Sequence, residues 1–169
     1  MIRDATVSDF AVILSLNAGS EHFLSPMDAD RLAHLHSQAA YHRVAETGSH
    51  IAAFLLGFRE GADYDSPNYR WFGKRYDSFL YIDRIVVSAS YREKGLGTAL
   101  YQDLFAFAAR HEIVSVTCEF DIEPPNETSR RFHAKFGFRE VGTQWLGGGR
   151  KQVSLQEATR RVGVGACAG

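Results

Sequence analysis

The nine residues Phe79–Val87, FLYIDRIVV, constrain the fold more than any other stretch of the chain. They are apolar on both faces, the pattern of a central strand covered on both sides rather than a strand with one wet face. A glycine-bearing loop follows at Arg92-Glu93-Lys94-Gly95-Leu96-Gly97-Thr98, and then Gly95–His111 repeats Leu96, Leu100, Leu104 and Phe107 at helical spacing. Ile113–Phe120 is again rich in β-formers. Strand, helix and strand in this order form a crossover, and the chain reads as α/β with a mixed central sheet flanked by helices.

The remaining elements fit around that unit. Residues 1–6 read as a short strand, and Ser8 or Asp9 caps a helix running to about Asn17 with Phe10, Ile13 and Leu14 on one face. A second helix fits Asp28–Ala40, carrying Leu32, Leu35 and Ala39. Tyr41–Ala45 and His50–Phe58 read as paired strands about the turn 46–49. Gly61–Asp77 reads as a long loop, with Tyr64, Tyr69, Trp71 and Tyr76 among Asp, Ser and Pro. Loops of that length inside a domain tend to carry function. Asn126–Lys135 is a short helix ended by Gly137, and Phe138–Gln144 with Lys151–Leu155 make a last hairpin. The expected organisation is one domain over 1–155, with 156–169 a frayed, small-residue tail.

Composition narrows the partners. The 169 residues carry 19 Lys plus Arg against 20 Asp plus Glu, a formal charge of −1, which argues against a nucleic-acid partner. No run reaches the ~18 apolar residues of a membrane helix, and MIRDATVSDF lacks the layout of a signal peptide. Cys118 and Cys167 are too few for a disulfide scaffold, so a reducing, cytoplasmic setting is expected. His34, His36 and His42 lack a ligand pattern, and no metal site is expected.

The loop at 92–98 has the means to hold an anion. A helix start offers unpaired N–H groups and the positive end of the dipole, and glycine lets backbone approach a phosphate. The bland alternative is a glycine turn with two solvated cations. A P-loop string is missing, and the dinucleotide fingerprint fails because Gly95-Leu96-Gly97-Thr98-Ala99-Leu100 ends in Leu. The third type, Arg92-x-x-Gly95-x-Gly97, fits. With YIDRIVVSASYREKGLGTAL around it and Asn126-x-x-Ser129-x-x-Phe132-His133-x-x-x-Gly137-Phe138 after it, the chain resembles the GNAT superfamily of N-acetyltransferases over Met1–Leu155.

That resemblance implies a GNAT-like acyl-CoA N-acyltransferase fold and acetyl-CoA as co-substrate. It places the pantetheine arm along the backbone of Ile85, Val86 and Val87, and the pyrophosphate on Arg92, Lys94, Gly95, Leu96, Gly97 and Thr98. Asn126 stands where a family asparagine touches the coenzyme, and Ser129 shares its helix face. His133 stands where the family often has a Tyr that protonates the departing thiolate. Histidine there can act as the acid, hydrogen-bond the sulfur, or be structural.

The usual strand glutamate is replaced by Tyr81, leaving Asp83 and Glu119 as candidate bases. Asp83 is alternatively a structural partner of Arg84, Arg130 or Arg131. Cys118 reads as a small buried hydrophobe. Tyr69, Trp71 and Tyr81, with Glu21 on the link between the first helices, are candidate acceptor contacts, although the aromatics suit a core roof equally well.

The expected reaction is transfer of acetyl to a primary amine of a small, amino-acid-like acceptor by direct attack in a ternary complex. A protein N-terminus or lysine, a non-catalytic acyl-CoA sensor and a nucleotide-binding module are the alternatives. A homodimer is compatible with the family, but no residue specifies its interface.

Overall fold

A computed structural model describes residues 1–20 and 24–159. Strand β1 (Ile2–Asp4) leads through one 3-10 turn (Val7–Asp9) into helix α1 (Phe10–Ala18). Helix α2 (Ala29–Gln38) follows, with the Asp28 side chain accepting from the Arg31 N–H as its cap. Strands β2 (Tyr41–Thr47) and β3 (His50–Arg59) form a hairpin, and β3 pairs antiparallel with β4 (Leu80–Val87). Helix α4 (Leu96–Arg110) crosses to β5 (Ser115–Glu123), and α5 (Glu127–Lys135) leads to the hairpin of β6 (Arg139–Leu146) and β7 (Lys151–Thr159). The seven strands lie in the order β1-β2-β3-β4-β5-β7-β6. The mixed sheet flanked by helices is the expected class.

Two expectations are corrected. The segment 61–77 is not all loop, because helix α3 (Pro67–Gly73) sits inside it. Ser66 caps that helix, accepting from the Tyr69 N–H at 3.3 Å, and Pro67 occupies its first turn, where a missing N–H costs nothing. The tail does not begin at residue 156. Gln156–Thr159 continue β7 in the sheet interior, paired on one side with Ser115–Cys118 and, through Gln156 and Glu157, on the other with Glu140 and Arg139. Gln156 and Ala158 are buried there. Residues 160–169 lie outside the described residues.

The core has two sides. Leu100, Tyr101, Leu104 and Ala108 of α4 pack on Leu55, Ile82 and Val116 of the sheet. Opposite, α1 and α2 bring Ile13, Leu32 and Leu35 against Phe54, Leu56 and Phe58, and α3 adds Tyr69 and Phe72.

Two irregularities in β4 matter for the site. The strand is parallel to β5 but pairs with it only at Leu80↔Val116 and Tyr81↔Thr117. Beyond these the strands part, and Ile82–Val87 faces a gap. The register with β3 also slips, since Leu56 sits opposite Arg84 and Gly57 opposite Ile82, leaving Asp83 opposite neither. Alternation would send Asp83 and Arg84 to opposite faces. The bulge lets both reach the face covered by α1 and α2.

Gly142 in β6 carries the far edge of the α3 contact. A Cβ on it would stand 2.5 Å from Cζ2 and 3.0 Å from Cη2 of Trp71. Gly142→Ala is therefore expected to destabilise by about 1–3 kcal/mol. It should also shift tryptophan emission as Trp71 is displaced. Denaturation followed by fluorescence checks both, and an unchanged midpoint and spectrum would refute the packing.

Candidate active site

The gap between β4 and β5 is the floor of a cavity of about 270 Å³. Its walls are Ile82–Val87 on one strand and Cys118–Asp121 on the other, with Arg92, Tyr101, Asn126, Ser129 and His133 around them and Ser20 and Leu24 at the α1 side. The structure thus brings Ile85, Val86, Val87, Arg92, Asn126, Ser129, His133, Asp83 and Glu119 to one place.

Lys94, Gly95, Leu96, Gly97 and Thr98 form the turn that leaves this cavity. Glu93 and Gly95 both take left-handed backbone, at φ 64 and φ 78. For glycine that costs nothing, whereas for Glu93 it stores strain of the sort that concentrates at functional sites. Gly95 caps α4 without any side-chain bond, so the first N–H groups of the helix are left to an outside acceptor. Arg92 and Lys94 are exposed beside them, and the Lys94 ammonium lies 4.7 Å over the Tyr91 ring. Curled backbone, free helix amides and two cations suit a polyphosphate, so the residues present fit the coenzyme that the sequence implies.

The two carboxylates occupy different environments. Asp83 accepts from the Tyr64 hydroxyl at Oδ1 and from Arg84 Nε at 2.5 Å at Oδ2. Arg84 in turn donates from Nη1 to Asn17 Oδ1 at 2.8 Å and to the Ser25 carbonyl at 3.3 Å. Both side chains of the pair are nearly sealed, at 5% and 6% exposure, so Asp83 is the anion that neutralises a buried guanidinium. Arg130 and Arg131, the other partners considered, pair with Glu127 instead.

Glu119 has no cation at hydrogen-bond distance. The Tyr81 hydroxyl donates to its Oε1 at 2.9 Å, Oε2 is buried without a hydrogen bond, and the Asn68 side chain and the charge of Lys151 also act to lower the carboxyl's pKa. Burial pushes its carboxyl up to about 8, with the charge of Asp83 adding to the rise and the Tyr81 bond opposing it.

His133 is buried, and both ring nitrogens are engaged. Nδ1 lies 2.7 Å from the Ser129 carbonyl and 3.2 Å from its hydroxyl, and Nε2 lies 2.8 Å from the Tyr101 hydroxyl. Burial pulls the imidazole pKa down, so the ring is held neutral, and the Ser129 carbonyl works against that pull. A neutral ring bonded in this way directs no proton at the cavity. That removes direct donation by His133 as acid from its resting geometry.

The acceptor-side residues fare differently. Tyr69 does not line the cavity, because its hydroxyl donates to the Arg59 carbonyl at 2.7 Å and accepts from the Ala62 N–H at 2.8 Å. Trp71 packs on Gly142, with the Arg75 guanidinium 3.8 Å over its ring. Both are roof residues. Tyr81 is fully buried and reaches the site only through Glu119. Glu21 lies outside the described residues. Sequence reasoning missed Tyr64, Asn17 and Tyr101. Tyr101 follows Gly97 by one helical turn, and that spacing is the one signal it carries.

The profile of the Acetyltransferase (GNAT) family matches residues 9–138. The chain belongs to this family. A phosphinothricin N-acetyltransferase of Streptomyces coelicolor is 44% identical over 50 residues, which span 30% of this chain and 28% of that protein. Among solved structures, Ard1 from Thermoplasma volcanium superposes with a TM-score of 0.76 at 16% identity, covering 94% of this chain and 96% of its own. The putative acetyltransferase yncA from Salmonella typhimurium, solved with its cofactor acetyl-CoA, gives 0.70 at 18%, covering 94% and 92%. At those identities the structures speak for a shared GNAT fold. Among the described residues, no group of three or more His, Cys, Asp or Glu is placed to hold a metal ion, and no helix is long and apolar enough to cross a membrane.

The two carboxylates are separable by stability. Asp83→Asn leaves Arg84 buried without its anion and is expected to cost about 3 kcal/mol in urea unfolding at pH 7. Glu119→Gln behaves otherwise. Its folded pKa, about 8, lies above the ordinary 4.5, so the unfolded chain releases this proton first as pH rises. Native Glu119 therefore contributes stability below 4.5 that is lost by about pH 8. The stability of Glu119→Gln relative to the parent should climb across that window. A flat difference would refute the raised pKa.

Proposed function

We propose that this GNAT family member transfers the acetyl group of acetyl-CoA to the primary amine of a small, amino-acid-like acceptor, by direct attack within a ternary complex. One observation carries the reading: the β4–β5 gap has Arg92 in its lining, next in sequence to a helix start suited to an anion, and holds Glu119, a buried carboxyl with its pKa raised to about 8, in its wall. The separated strand edge of Ile85–Val87 supports a place for the pantetheine arm, and Arg92 with the 95–98 amides supports one for the pyrophosphate.

An amine attacks a thioester only as the free base, so a proton must first be removed from the ammonium. Two carboxylates are near, and their environments favour one of them for the task. Asp83 is engaged by Tyr64 and Arg84, and releasing it strands a buried cation. Glu119 has no cation at hydrogen-bond distance, its Oε2 is buried without a hydrogen bond, and its pKa is raised to about 8, which suits proton abstraction. Tyr81 holds its other oxygen and so fixes the direction in which Oε2 points. This arrangement answers the absence of the usual strand glutamate, because the base sits one strand over.

The modest size of the cavity and the Asp83–Arg84 pair beside it favour a small polar amine over a polypeptide. A cytoplasmic location accompanies this reading and suits Cys118, a free buried thiol.

The test is an amine panel with detection of thiol release. Acetyl-CoA turnover dependent on amino-acid-type amines is expected, with kcat/KM rising through about pH 8. Glu119→Gln should lose that rise and about 100-fold or more of the rate. Coenzyme A binding without turnover on any amine would favour the sensor instead. Thermal stabilisation by ATP or NAD and not by coenzyme A would overturn the reading outright.

A further inference from the structure

The proposed reaction has a proton count that Glu119 alone does not complete. The ammonium acceptor carries three N–H protons and the amide product one. Two protons therefore leave nitrogen: one goes to solvent and one ends on the sulfur of coenzyme A. Glu119 serves the first. The second needs a group that takes a proton from nitrogen and delivers it to sulfur.

The opposite wall of the cavity holds such a group. A carbonyl oxygen has no proton to give, so the 2.7 Å contact with the Ser129 carbonyl places the hydrogen on Nδ1 of His133. Nε2 of the neutral ring is then a lone pair, and at 2.8 Å it accepts the hydroxyl proton of Tyr101. The order of donors is fixed: Tyr101 O–H to Nε2, Nδ1–H to Ser129. Both side chains line the cavity together with Ile85 and Cys118. The rings of Phe132 and Phe136 pack at 4.8 and 4.9 Å from Tyr101, and that of Phe120 lies 5.6 Å from His133, keeping the pair dry and in place. Glu119 and Cys118, both on β5, are the titratable groups whose charge reaches the phenol.

Resting on the acetyl-transfer reading, we infer that Tyr101 is the residue that passes a proton between the acceptor nitrogen and the departing sulfur, with His133 as the positioning residue that stores it. As the C–N bond forms, an N–H proton passes to the phenol oxygen while the phenolic proton passes to Nε2. The charge then on the imidazole faces the Ser129 carbonyl through Nδ1–H. As the C–S bond breaks, its electron pair stays on sulfur. The phenolic proton passes to that sulfur, and the Nε2 proton returns to the phenol oxygen. Nitrogen has lost one proton, sulfur has gained it, and Tyr101 and His133 are restored.

Tyr101→Phe keeps the ring and removes the relay. It is expected to lower kcat about 100-fold on the best amine of the panel while the Kd for coenzyme A, read by calorimetry, stays within three-fold. His133→Phe should lose a comparable factor, and the double variant should be no more than about three-fold slower than Tyr101→Phe, because groups acting as a unit are not additive. The solvent isotope effect supplies a readout that a structural tyrosine would not move: a curved proton inventory in the parent enzyme, linear in Tyr101→Phe. Unchanged turnover in Tyr101→Phe, loss of coenzyme A affinity in step with rate, or additive losses in the double variant would each overturn the relay while leaving the acetyl-transfer reading intact. A parent enzyme that acetylates no amine would overturn both.

Discussion

Strands β4 and β5 stay hydrogen-bonded over two residue pairs, and the site exists because they then part. Parallel neighbours in a covered sheet ordinarily remain paired along their length, since a buried backbone group without a partner is costly. Here each strand has a partner on its outer side, β3 for β4 and β7 for β5, so each is held while its inner edge opens. The length of β7 matters for that reason. Its last residues, Glu157 to Thr159, brace Ser115–Thr117, the stretch just before β5 parts from β4.

Opening a gap in the middle of a core exposes whatever the strands carry there, and that is where the two carboxylates diverge. The β4 bulge turns Asp83 and Arg84 toward the same side, where they pair and draw in Tyr64, Asn17 and the backbone at Ser25. The pair ties the helical layer to the rim of the gap. Glu119, one strand over, has a hydroxyl for company and no cation, and burial makes its charged form expensive. Two acids that differ little in sequence context thus stand in different surroundings, one against a buried guanidinium and one against a phenol.

The legible parts of the chain were those written in backbone preference. The two-faced apolar run of β4 and the Arg92-x-x-Gly95-x-Gly97 turn each act locally, and each led to its element. Helix α3 was harder, because its Ser66-Pro67 start stands in the sequence among aromatics that also suit a loop. The β7 extension was hidden because Gln156-Glu157-Ala158-Thr159 has little strand character of its own and is held by two neighbours. Tyr69 and Trp71 read equally as acceptor contacts or core roof for a related reason: an aromatic with a polar tip reads alike whether that tip meets a ligand or a carbonyl, and only the fold supplies Arg59 and Gly142. Tyr101 was silent because its partner, His133, lies on another helix.

The two ends of the site consequently differ in how they are encoded. The coenzyme side depends on amides and on a glycine at φ 78, features almost any side chain pattern can surround. The reacting side depends on pairs formed across elements, Tyr81 with Glu119, Tyr64 with Asp83, and Tyr101 with His133. In each pair a tyrosine hydroxyl fixes the orientation of a titratable group. A phenol is well suited to this, since its rigid ring anchors in the core while its oxygen reaches a wet boundary. Such pairing sets proton chemistry independently of the loop that holds the phosphate. The bond between Tyr81 on β4 and Glu119 on β5 forms across the strands and draws on no residue of that loop.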